Sequence, residues 1–318
     1  MPLSIDVAVV AFNRYDLTSS CLRHLAAQTR EHRLLVCDNG STDDTAERIA
    51  ADWPRASLVR TEDNRGFAQA CNAAVALGSA DVVVLLNNDV DCRPDFLERL
   101  VAPLERDPRL GSVAALMVRP GGDRIDSVGL TTDATLSGFP RLQGRPVAQA
   151  ASPCPVLAGP AGTAGAYRRS AWDAAGGLDE RIFAYSEDFD LAVRLRAAGW
   201  DTVAAPDAVG VHLGSATHGH RTAWQRRHGG FGRAYLIRRY GLLRGRTALR
   251  TALTEALVVA GDAVVSRDLA ALEGRIAGWR AAAGLPSRAL PPETAIDRGI
   301  TLREAINLRR GVYAHYER

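Results

Sequence analysis

Short apolar runs alternate with helical patterns along the first third of the chain. The runs typical of buried parallel strands are 5–11, 34–37, 57–60, 81–86 and 111–117. Helical spacing predicts helices over 16–28 and 67–77, with further helix starts at 41–44 and at Pro94. This β-α-β-α alternation favours a mostly parallel sheet with helices on both faces, whose ligands bind beyond the carboxyl ends of the strands.

The pattern weakens after residue 118. Residues 119–151 are rich in Gly and Pro, and we interpret them as an excursion or flexible loop. A helix is predicted over 187–198, where Gly199 ends it. A short strand is predicted over 202–205, before Pro206.

Beyond Arg221 the pattern is helical to about Ala283. Two apolar stripes in this region are interpreted as core or docking faces rather than ligand sites: Leu253, Leu257, Ala260 and Val264, then Leu269, Leu272, Ile276 and Trp279. We therefore predict two regions, an α/β domain over 1–220 and a mainly helical, Arg-rich region over 221–318.

The composition is that of a globular protein, with 47% hydrophobic and 24% charged residues in a chain of 318. Disordered, collagen-like and disulfide-stapled classes are thereby excluded. The cysteines are odd in number and scattered, which indicates reduced, mostly buried thiols and neither a zinc site nor a disulfide framework: Cys21, Cys37, Cys71, Cys92 and Cys154.

Nothing in the sequence indicates a targeting or membrane-spanning segment. The first apolar run contains Asp6 and has no basic leader, which argues against a signal peptide. No run of 18 uncharged apolar residues exists. The expected location is the cytoplasm.

Positive charge is concentrated near the start of the helical region. All 39 basic residues are Arg, and nine of them lie between residues 213 and 254 without one acidic residue: Arg221, Arg226, Arg227, Arg233, Arg238, Arg239, Arg244, Arg246 and Arg250. Such a segment suggests an anionic partner, namely nucleic acid, a membrane surface or a phosphorylated lipid. The alternatives are a solvated helix surface, packing on the protein's own acidic surface, or a homodimer interface.

The strongest candidate for chemistry is Asn87-Asn88-Asp89-Val90-Asp91, at the end of a predicted strand. Carboxylate and amide oxygens suit Mg²⁺ or Mn²⁺. An ion there could neutralise a diphosphate leaving group. A turn with only local Asx hydrogen bonds explains the same residues equally well.

Two further turns follow predicted strands. Asp38, in Asp38-Asn39-Gly40-Ser41, is placed to accept hydrogen bonds from a nucleoside, although a helix N-cap turn explains it as well. In Asn64-Arg65-Gly66-Phe67, the glycine permits close backbone approach and the helix start offers N–H groups to phosphate. Many loops have this composition, so the second signal alone is weak.

Three carboxylates crowd one helix start: Glu187, Asp188 and Asp190. The helix dipole alone could account for them. Like charges also raise pKa values, which makes a general base available. His212 follows a short strand, and a lone histidine is usually structural.

Together these motifs resemble the family 2 inverting glycosyltransferases with the GT-A (nucleotide-diphospho-sugar transferase) fold. They occur in the family's order and cover roughly residues 4–220. The chain is most similar to the bacterial rhamnosyltransferases of cell-wall and O-antigen assembly. The pieces that match are 9–14, 38–41, 64–68, 86–89, 186–191 and 206–212.

The resemblance implies a role for each matching residue. Asp188 would be the catalytic base, with Glu187 beside it, and Asp89 would bind Mg²⁺ or Mn²⁺ with His212 and either Asp91 or Asn87. The donor nucleotide sugar would be held by the following residues: Phe12, Asn13, Asp38, Asn64, Arg65, Gly66 and Asn87. The family often has Asp where this chain has Asn87, which lowers the charge of the metal site.

The resemblance implies inverting transfer of a sugar from a nucleotide diphosphate donor to a hydroxyl of a glycan or lipid-linked acceptor. The expected sugar is L-rhamnose from dTDP-rhamnose, and a UDP-sugar is the alternative. One base and one displacement invert the anomeric centre, and no second nucleophile is evident.

Two other classes of function remain. A nucleotidyltransferase would show a Gly-rich basic loop after the first strand, where this chain has Phe12-Asn13-Arg14-Tyr15-Asp16. A non-catalytic protein that binds carbohydrate or nucleic acid would not need the full set of acidic motifs.

For the Arg-rich segment, the favoured partner is a membrane surface that carries a polyprenyl-diphosphate-linked glycan. Aromatic and apolar side chains would insert beside the arginines: Trp224, Phe231, Tyr235 and Leu236. Attachment would be peripheral, on the inner face of the cytoplasmic membrane. Nucleic acid fits the charge but not the catalytic motifs and ranks below.

Overall fold

Strands and helices alternate through the first 118 residues, as the hydrophobic pattern predicts. The computed structural model describes residues 2–214 and 222–309. The strands are Ile5–Ala11 (β1), Arg33–Asp38 (β2), Ser57–Arg60 (β3), Val82–Asn87 (β4), Val90–Cys92 (β5), Leu110–Val118 (β6), Ile125–Ser127 (β7), Leu130–Thr132 (β8), Gly138–Pro140 (β9), Ala164–Arg168 (β10) and Asp201–His212 (β11). The helices are Tyr15–Ala26 (α1), Thr45–Asp52 (α2), Phe67–Val75 (α3), Phe96–Arg106 (α4), Arg169–Ala175 (α5), Glu187–Ala197 (α6), Ala223–Arg239 (α7), Ala248–Ser266 (α8), Ala270–Ala281 (α9) and Leu302–Arg309 (α10).

One large sheet contains most of the strands, in the order β3-β2-β1-β4-β10-β6-β11-β5, and β7 pairs with β6. The strands β3, β2, β1 and β4 are parallel, and so are β6 and β11. β10 runs antiparallel between β4 and β6, and β5 pairs antiparallel with β11. The mostly parallel sheet predicted from the sequence is confirmed.

The alternation of side chains along β1 divides the core into two layers. Val7 and Val9 pack in one layer with apolar residues of α1 and α4, whereas Ala8 packs in the other with residues of α3, α5 and α6. Successive Cβ atoms of a strand point to opposite faces of the sheet, so a continuous apolar run needs helices on both faces. That expectation is also confirmed.

The interpretation of residues 119–151 as an excursion or flexible loop is wrong. β7 extends the sheet, β8 and β9 form a separate hairpin, and Val128 and Leu142 are buried beneath β6. The strands are only three residues long, which is too short for an alternating pattern to be visible in the sequence. This segment also carries Asp126 into the candidate site.

The strand predicted to stop before Pro206 continues to His212. β11 pairs with β6 on both sides of the proline, and the register shifts between Ala205 and Val209. An irregularity of this kind accommodates the missing N–H of proline within a strand. As a result, β11 delivers His212 to the carboxyl edge of the sheet.

The C-terminal helices pack directly on the α/β part. Tyr235 and Leu236 of α7 lie in one apolar cluster with Phe189 of α6. Asp190, fully buried on α6, accepts hydrogen bonds from Arg194 at 2.8 Å and from the Tyr240 hydroxyl at 3.1 Å. Arg288 pairs with the same carboxylate, so a charged network joins the two predicted regions.

Half of the eight arginines of the predicted basic segment that the structure describes form ion pairs within the protein. Arg226, Arg227, Arg233 and Arg250 each form an ion pair with an acidic residue elsewhere in the chain. Arg221 lies outside the described residues. For these four arginines the structure matches the alternative in which the segment packs on the protein's own acidic groups.

The predicted insertion of Tyr235 and Leu236 into lipid is wrong. Tyr235 and Leu236 are buried in the core, and Phe231 stacks on Tyr235 with ring centroids 6.1 Å apart. The apolar stripes predicted on α8 and α9, by contrast, are exposed to solvent. Leu253, Leu257 and most of their companions are exposed, so they are not core residues.

The sequence also predicts reduced, mostly buried cysteines and no membrane-spanning segment. The thiols of Cys21, Cys37, Cys71 and Cys92 are buried, Cys154 is exposed, and none is bonded to another. Among residues 2–214 and 222–309, none of the helices combines the length and the apolar character needed to cross a bilayer.

We predict that Asp190→Ala destabilises the protein by about 3–5 kcal/mol, because Arg194 and Arg288 would be left buried without their carboxylate. Urea denaturation would measure the change in free energy of unfolding. The control is Glu293→Ala, which breaks the surface pair of Glu293 with Arg298 and is expected to cost about 0–1 kcal/mol. Equal losses in the two variants would contradict a bridging role for Asp190.

Candidate active site

A cavity of about 350 Å³ opens at the carboxyl edge of the sheet. Seven of the residues predicted for the site line it: Phe12, Asn64, Asn87, Asp89, Glu187, Asp188 and His212. Asn13, Asp38, Arg65, Gly66 and Asp91 do not line it. The edge of the sheet collects these side chains because parallel strands end there together.

The acidic segment and the distant histidine meet through strand pairing. The chain turns after β4 at Asn88 and Asp89, and β5 then pairs antiparallel with β11 so that Val90 faces His212. The Leu213 N–H donates to the Asp89 carbonyl at 3.0 Å. His212 Nε2 consequently lies 3.5 Å from Asp89 Oδ2.

Asp126 orients this histidine, and sequence reasoning missed it. Its Oδ2 lies 2.7 Å from His212 Nδ1. Burial alone would lower the pKa of His212, but the hydrogen bonds with Asp126 and Asp89 outweigh it and raise the pKa to about 9. An outer carboxylate of this kind fixes a ligand histidine and increases its basicity. Asp126 stands in a Gly-rich stretch without a motif, so the sequence offered no signal.

The residues present fit a divalent ion that is shared with a ligand. Asp89 Oδ1 and Asn87 Oδ1 are buried and have no hydrogen-bond partner among the described residues. The described part of the chain contains no group of three or more His, Cys, Asp or Glu side chains arranged for a metal. Two protein ligands completed by phosphate oxygens and water are the usual arrangement for Mg²⁺.

The carboxylate of Asp91 points away from Asp89 and Asn87. Its carboxylate accepts a hydrogen bond from Ser20 at 3.0 Å and lies 3.6 Å from His24, both on α1. Of the two further ligands predicted from the sequence, the structure therefore favours Asn87. Asp89 lies in the turn between β4 and β5, so the two-residue spacing to Asp91 did not reveal that Asp91 faces a different side.

Asp188 is held by backbone amides at the start of α6. Its Oδ2 accepts from the Gly162 N–H and its Oδ1 from the Phe189 N–H, both at 2.7 Å. Burial nevertheless raises its pKa. Each oxygen keeps a further lone pair, so the carboxylate is both oriented and able to accept a proton.

Glu187, the residue before Asp188, is buried. Its Oε2 is buried without a partner among the described residues. Burial, and then the negative charge of Asp188, raise the pKa of Glu187 well above its ordinary value. Of these two adjacent buried carboxyl groups, Glu187 has its pKa raised further and therefore holds its proton more strongly than Asp188.

The end of β2 forms the other wall. Asp38 is fully buried, and its Oδ1 accepts from the Ser41 N–H at 3.1 Å while Oδ2 has no partner among the described residues. Asn39 was not predicted as a site residue, although it is part of the Asp38-Asn39-Gly40-Ser41 motif. It lines the cavity and donates to Asn64 Oδ1 at 3.0 Å. Asp38 itself does not line the cavity, so Asn39 and Asn64 are the polar side chains of this wall that do.

Three of the residues predicted to hold the donor nucleotide sugar instead contact other residues in the loops around the cavity. Asn13 Oδ1 accepts from the Thr42 N–H at 2.9 Å, and Arg65 pairs with Asp63 on the surface at 2.9 Å. Gly66 has φ +89°, and a Cβ there would lie 2.5 Å from the Phe183 carbonyl oxygen. Its close approach is therefore to this neighbouring loop of the protein.

An aromatic group closes one side of the cavity. Trp224 stacks on His228 with ring centroids 4.1 Å apart, and it meets Phe183 and Tyr185 edge-on at 6.2 and 6.0 Å. The Trp224 side chain thus belongs to the cavity wall rather than to a lipid-facing surface. It comes from α7, so the C-terminal helical region helps to build the site.

Comparison with known proteins places this arrangement in a family. The model for "Glycosyl transferase family 2" matches residues 6–174, just over half of the chain. An N-acetylglucosaminyl-diphospho-decaprenol L-rhamnosyltransferase, found in two strains of Mycobacterium tuberculosis, is 32% identical over 272 residues. The alignment covers 71% of this chain and 84% of that protein.

Solved structures show the same fold at low sequence identity. A mannosyltransferase from Pyrobaculum calidifontis, in complex with GDP-Man and Mn²⁺, has a TM-score of 0.56 at 19% identity and covers 100% of this chain and 88% of its own. TarS 1-349 from S. aureus has a TM-score of 0.58 at 14% identity, with 99% and 91% coverage. With its motifs assembled around one cavity, the chain belongs to glycosyl transferase family 2 and is a glycosyltransferase of the GT-A fold.

Proposed function

We propose that the protein is an inverting glycosyltransferase that moves L-rhamnose from dTDP-rhamnose to a hydroxyl of a polyprenyl-diphosphate-linked glycan. The observation that carries the reaction type is that one cavity contains both Asp188 and the Asp89–His212 pair. The choice of sugar and of a lipid-linked acceptor is supported by the similarity to the mycobacterial N-acetylglucosaminyl-diphospho-decaprenol L-rhamnosyltransferase.

Asp188 would act as the base. An alcohol is too weak an acid to ionise before it attacks, so its proton must leave as the new bond forms. Asp188 combines a fixed orientation with a raised pKa, which makes it a stronger base than an ordinary aspartate. Glu187, whose pKa burial and the charge of Asp188 raise well above its ordinary value, would donate a hydrogen bond to a sugar oxygen when protonated rather than serve as a nucleophile.

The nucleotide would lie along the ends of β1 and β2. Asp38 would accept a hydrogen bond from the base or ribose, a role supported by its Oδ2, which has no partner among the described residues. Asn39 and Asn64 add amide groups beside it. These contacts bind and orient the donor without entering the chemistry.

Asp89 and His212 would hold Mg²⁺ or Mn²⁺, with Asn87 close by. When bound, such an ion neutralises the charge that develops on the departing diphosphate. Asp126 keeps the His212 ring turned so that Nε2 faces Asp89. The predicted cytoplasmic location, peripheral to the inner face of the membrane, remains part of this proposal.

The donor is tested by measuring nucleoside diphosphate release from a panel of nucleotide sugars, with an N-acetylglucosaminyl-diphospho-polyprenol acceptor. We expect the fastest release from dTDP-rhamnose. Faster turnover of a UDP-sugar would establish the alternative donor. If no member of the panel released its nucleotide, the proposed reaction would be wrong.

We predict that Asp188→Asn lowers kcat by about 10²–10⁴-fold, the usual cost of losing a general base. Donor binding, measured by titration calorimetry, should stay nearly unchanged because the base acts in the transition state. Asp95→Asn, at the start of α4 and outside the cavity, is the matched control. Near-normal turnover of the Asp188 variant would move the role to Glu187.

We predict that transfer requires a divalent ion and that Asp89→Ala and His212→Ala both weaken Mn²⁺ binding in the presence of nucleoside diphosphate. Asp126→Ala should weaken it about 10–100-fold, as expected for an outer-shell partner. Mn²⁺ affinity would be followed by electron paramagnetic resonance. Asp91→Ala is the control and should bind Mn²⁺ normally. Full activity in excess chelator would remove the metal from the reaction.

A further inference from the structure

Helix α8 packs on the protein with its polar side. Thr251 and Thr254 are completely buried against the neighbouring helices. Glu255 accepts from Arg233 at 2.8 Å and from Arg275 at 3.0 Å, and Asp262 pairs with Arg226 at 3.1 Å. The ion pairs beneath the helix, rather than an apolar stripe, therefore attach it to the rest of the molecule.

The opposite side of α8 is apolar and exposed. Leu249 and Val264 are 81% and 78% exposed, and Leu253 and Leu257 are 47% and 48% exposed. At 100° per residue these four side chains fall on one stripe, and three exposed alanines fill it: Ala252, Ala256 and Ala260. A surface helix normally turns its apolar stripe to the core, so α8 is inverted.

The stripe carries no acidic side chain and has arginines at both ends. Arg244 and Arg246 precede α8 and Arg267 follows it, all three are exposed, and none forms an ion pair with a described residue. A helix of 19 residues is about 28 Å long at 1.5 Å per residue. The result is an extended apolar strip with a positive charge at each end.

We propose that this outward face of α8 rests on an anionic lipid bilayer. An apolar face flanked by arginines matches the composition of helices that lie in the membrane interface, where the head groups are negatively charged. The proposal rests on the proposed function in one respect, since a lipid-linked acceptor requires the enzyme to reach the membrane surface.

The charges argue for lipid over a second copy of the chain. If two α8 faces packed antiparallel, Arg267 of each copy would lie near Arg244 and Arg246 of the other. Like charges brought together at an interface oppose association. Anionic head groups would neutralise the arginines at both ends of the strip.

The test is vesicle flotation of the full-length protein without donor or acceptor, so failure of the proposed reaction cannot affect the result. Wild type should float with vesicles of phosphatidylglycerol and phosphatidylcholine at low salt and less at high salt, and not with phosphatidylcholine alone. The double variant Leu253→Glu/Leu257→Glu should reduce partitioning at least about tenfold, because it removes apolar area from the contact. Leu77→Glu, on a partly exposed leucine of the α/β part, is the control.

A second variant tests the charges without altering the apolar strip. Arg244→Gln/Arg246→Gln/Arg267→Gln should retain thermal stability and lose the preference for anionic vesicles. Absence of wild-type flotation, or equal flotation of wild type and the leucine variant, would overturn the proposal. It would also be overturned if light scattering showed a wild-type dimer that becomes a monomer in the leucine variant. That result would assign the strip to self-association.

Discussion

The structure depends on burying ionised side chains at one edge of a parallel sheet. A buried charge is tolerated only where hydrogen bonds or opposite charges replace the lost water. Two backbone amides do this for Asp188, Asp126 and Asp89 do it for His212, and two arginines and a tyrosine do it for Asp190. Around these satisfied groups, a few oxygens lack partners among the described residues, and they mark where a ligand would supply the missing interactions.

The same requirement shapes the C-terminal helices. Asp262, Glu255 and Asp133 pair with Arg226, Arg233 and Arg250, so a segment that is strongly basic in sequence is partly neutralised in the fold. α8 turns its polar side to these ion pairs and exposes its leucines as a consequence. The network around Asp190 further ties the helical region to α6, on which Asp188 stands. The exposure of the leucines on α8 and the attachment of the helical region to α6, beside the candidate site, thus both depend on how the buried charges are paired.

Much of the site could be predicted from local patterns. A continuous apolar run that ends in polar residues indicates both a buried strand and a ligand-binding edge, and this reasoning located Asn87 and Asp89, as well as Asp38, which does not line the cavity. Asp188 was indicated by the carboxylates that crowd one helix start. It could not decide whether Asp91 faces the cavity, because β5 is three residues long and its register is set by β11. It also missed Asp126, because nothing near that residue in sequence indicates that His212 lies 2.7 Å away.

The sequence by itself determined most of the order of elements up to residue 118, the two-layered core of the α/β part and the family. These follow from the periodicity of apolar residues and from short motifs, which act over a few residues. Only the tertiary structure decided which carboxylates share a cavity, which arginines are paired and which side of α8 is exposed. Ion pairs such as Arg250 with Asp133 join residues far apart in the chain, and hydrophobic periodicity contains no information about partners at that distance. The two stripes on α8 and α9 have the pattern of core faces, and the buried charges beneath α8 reversed that helix.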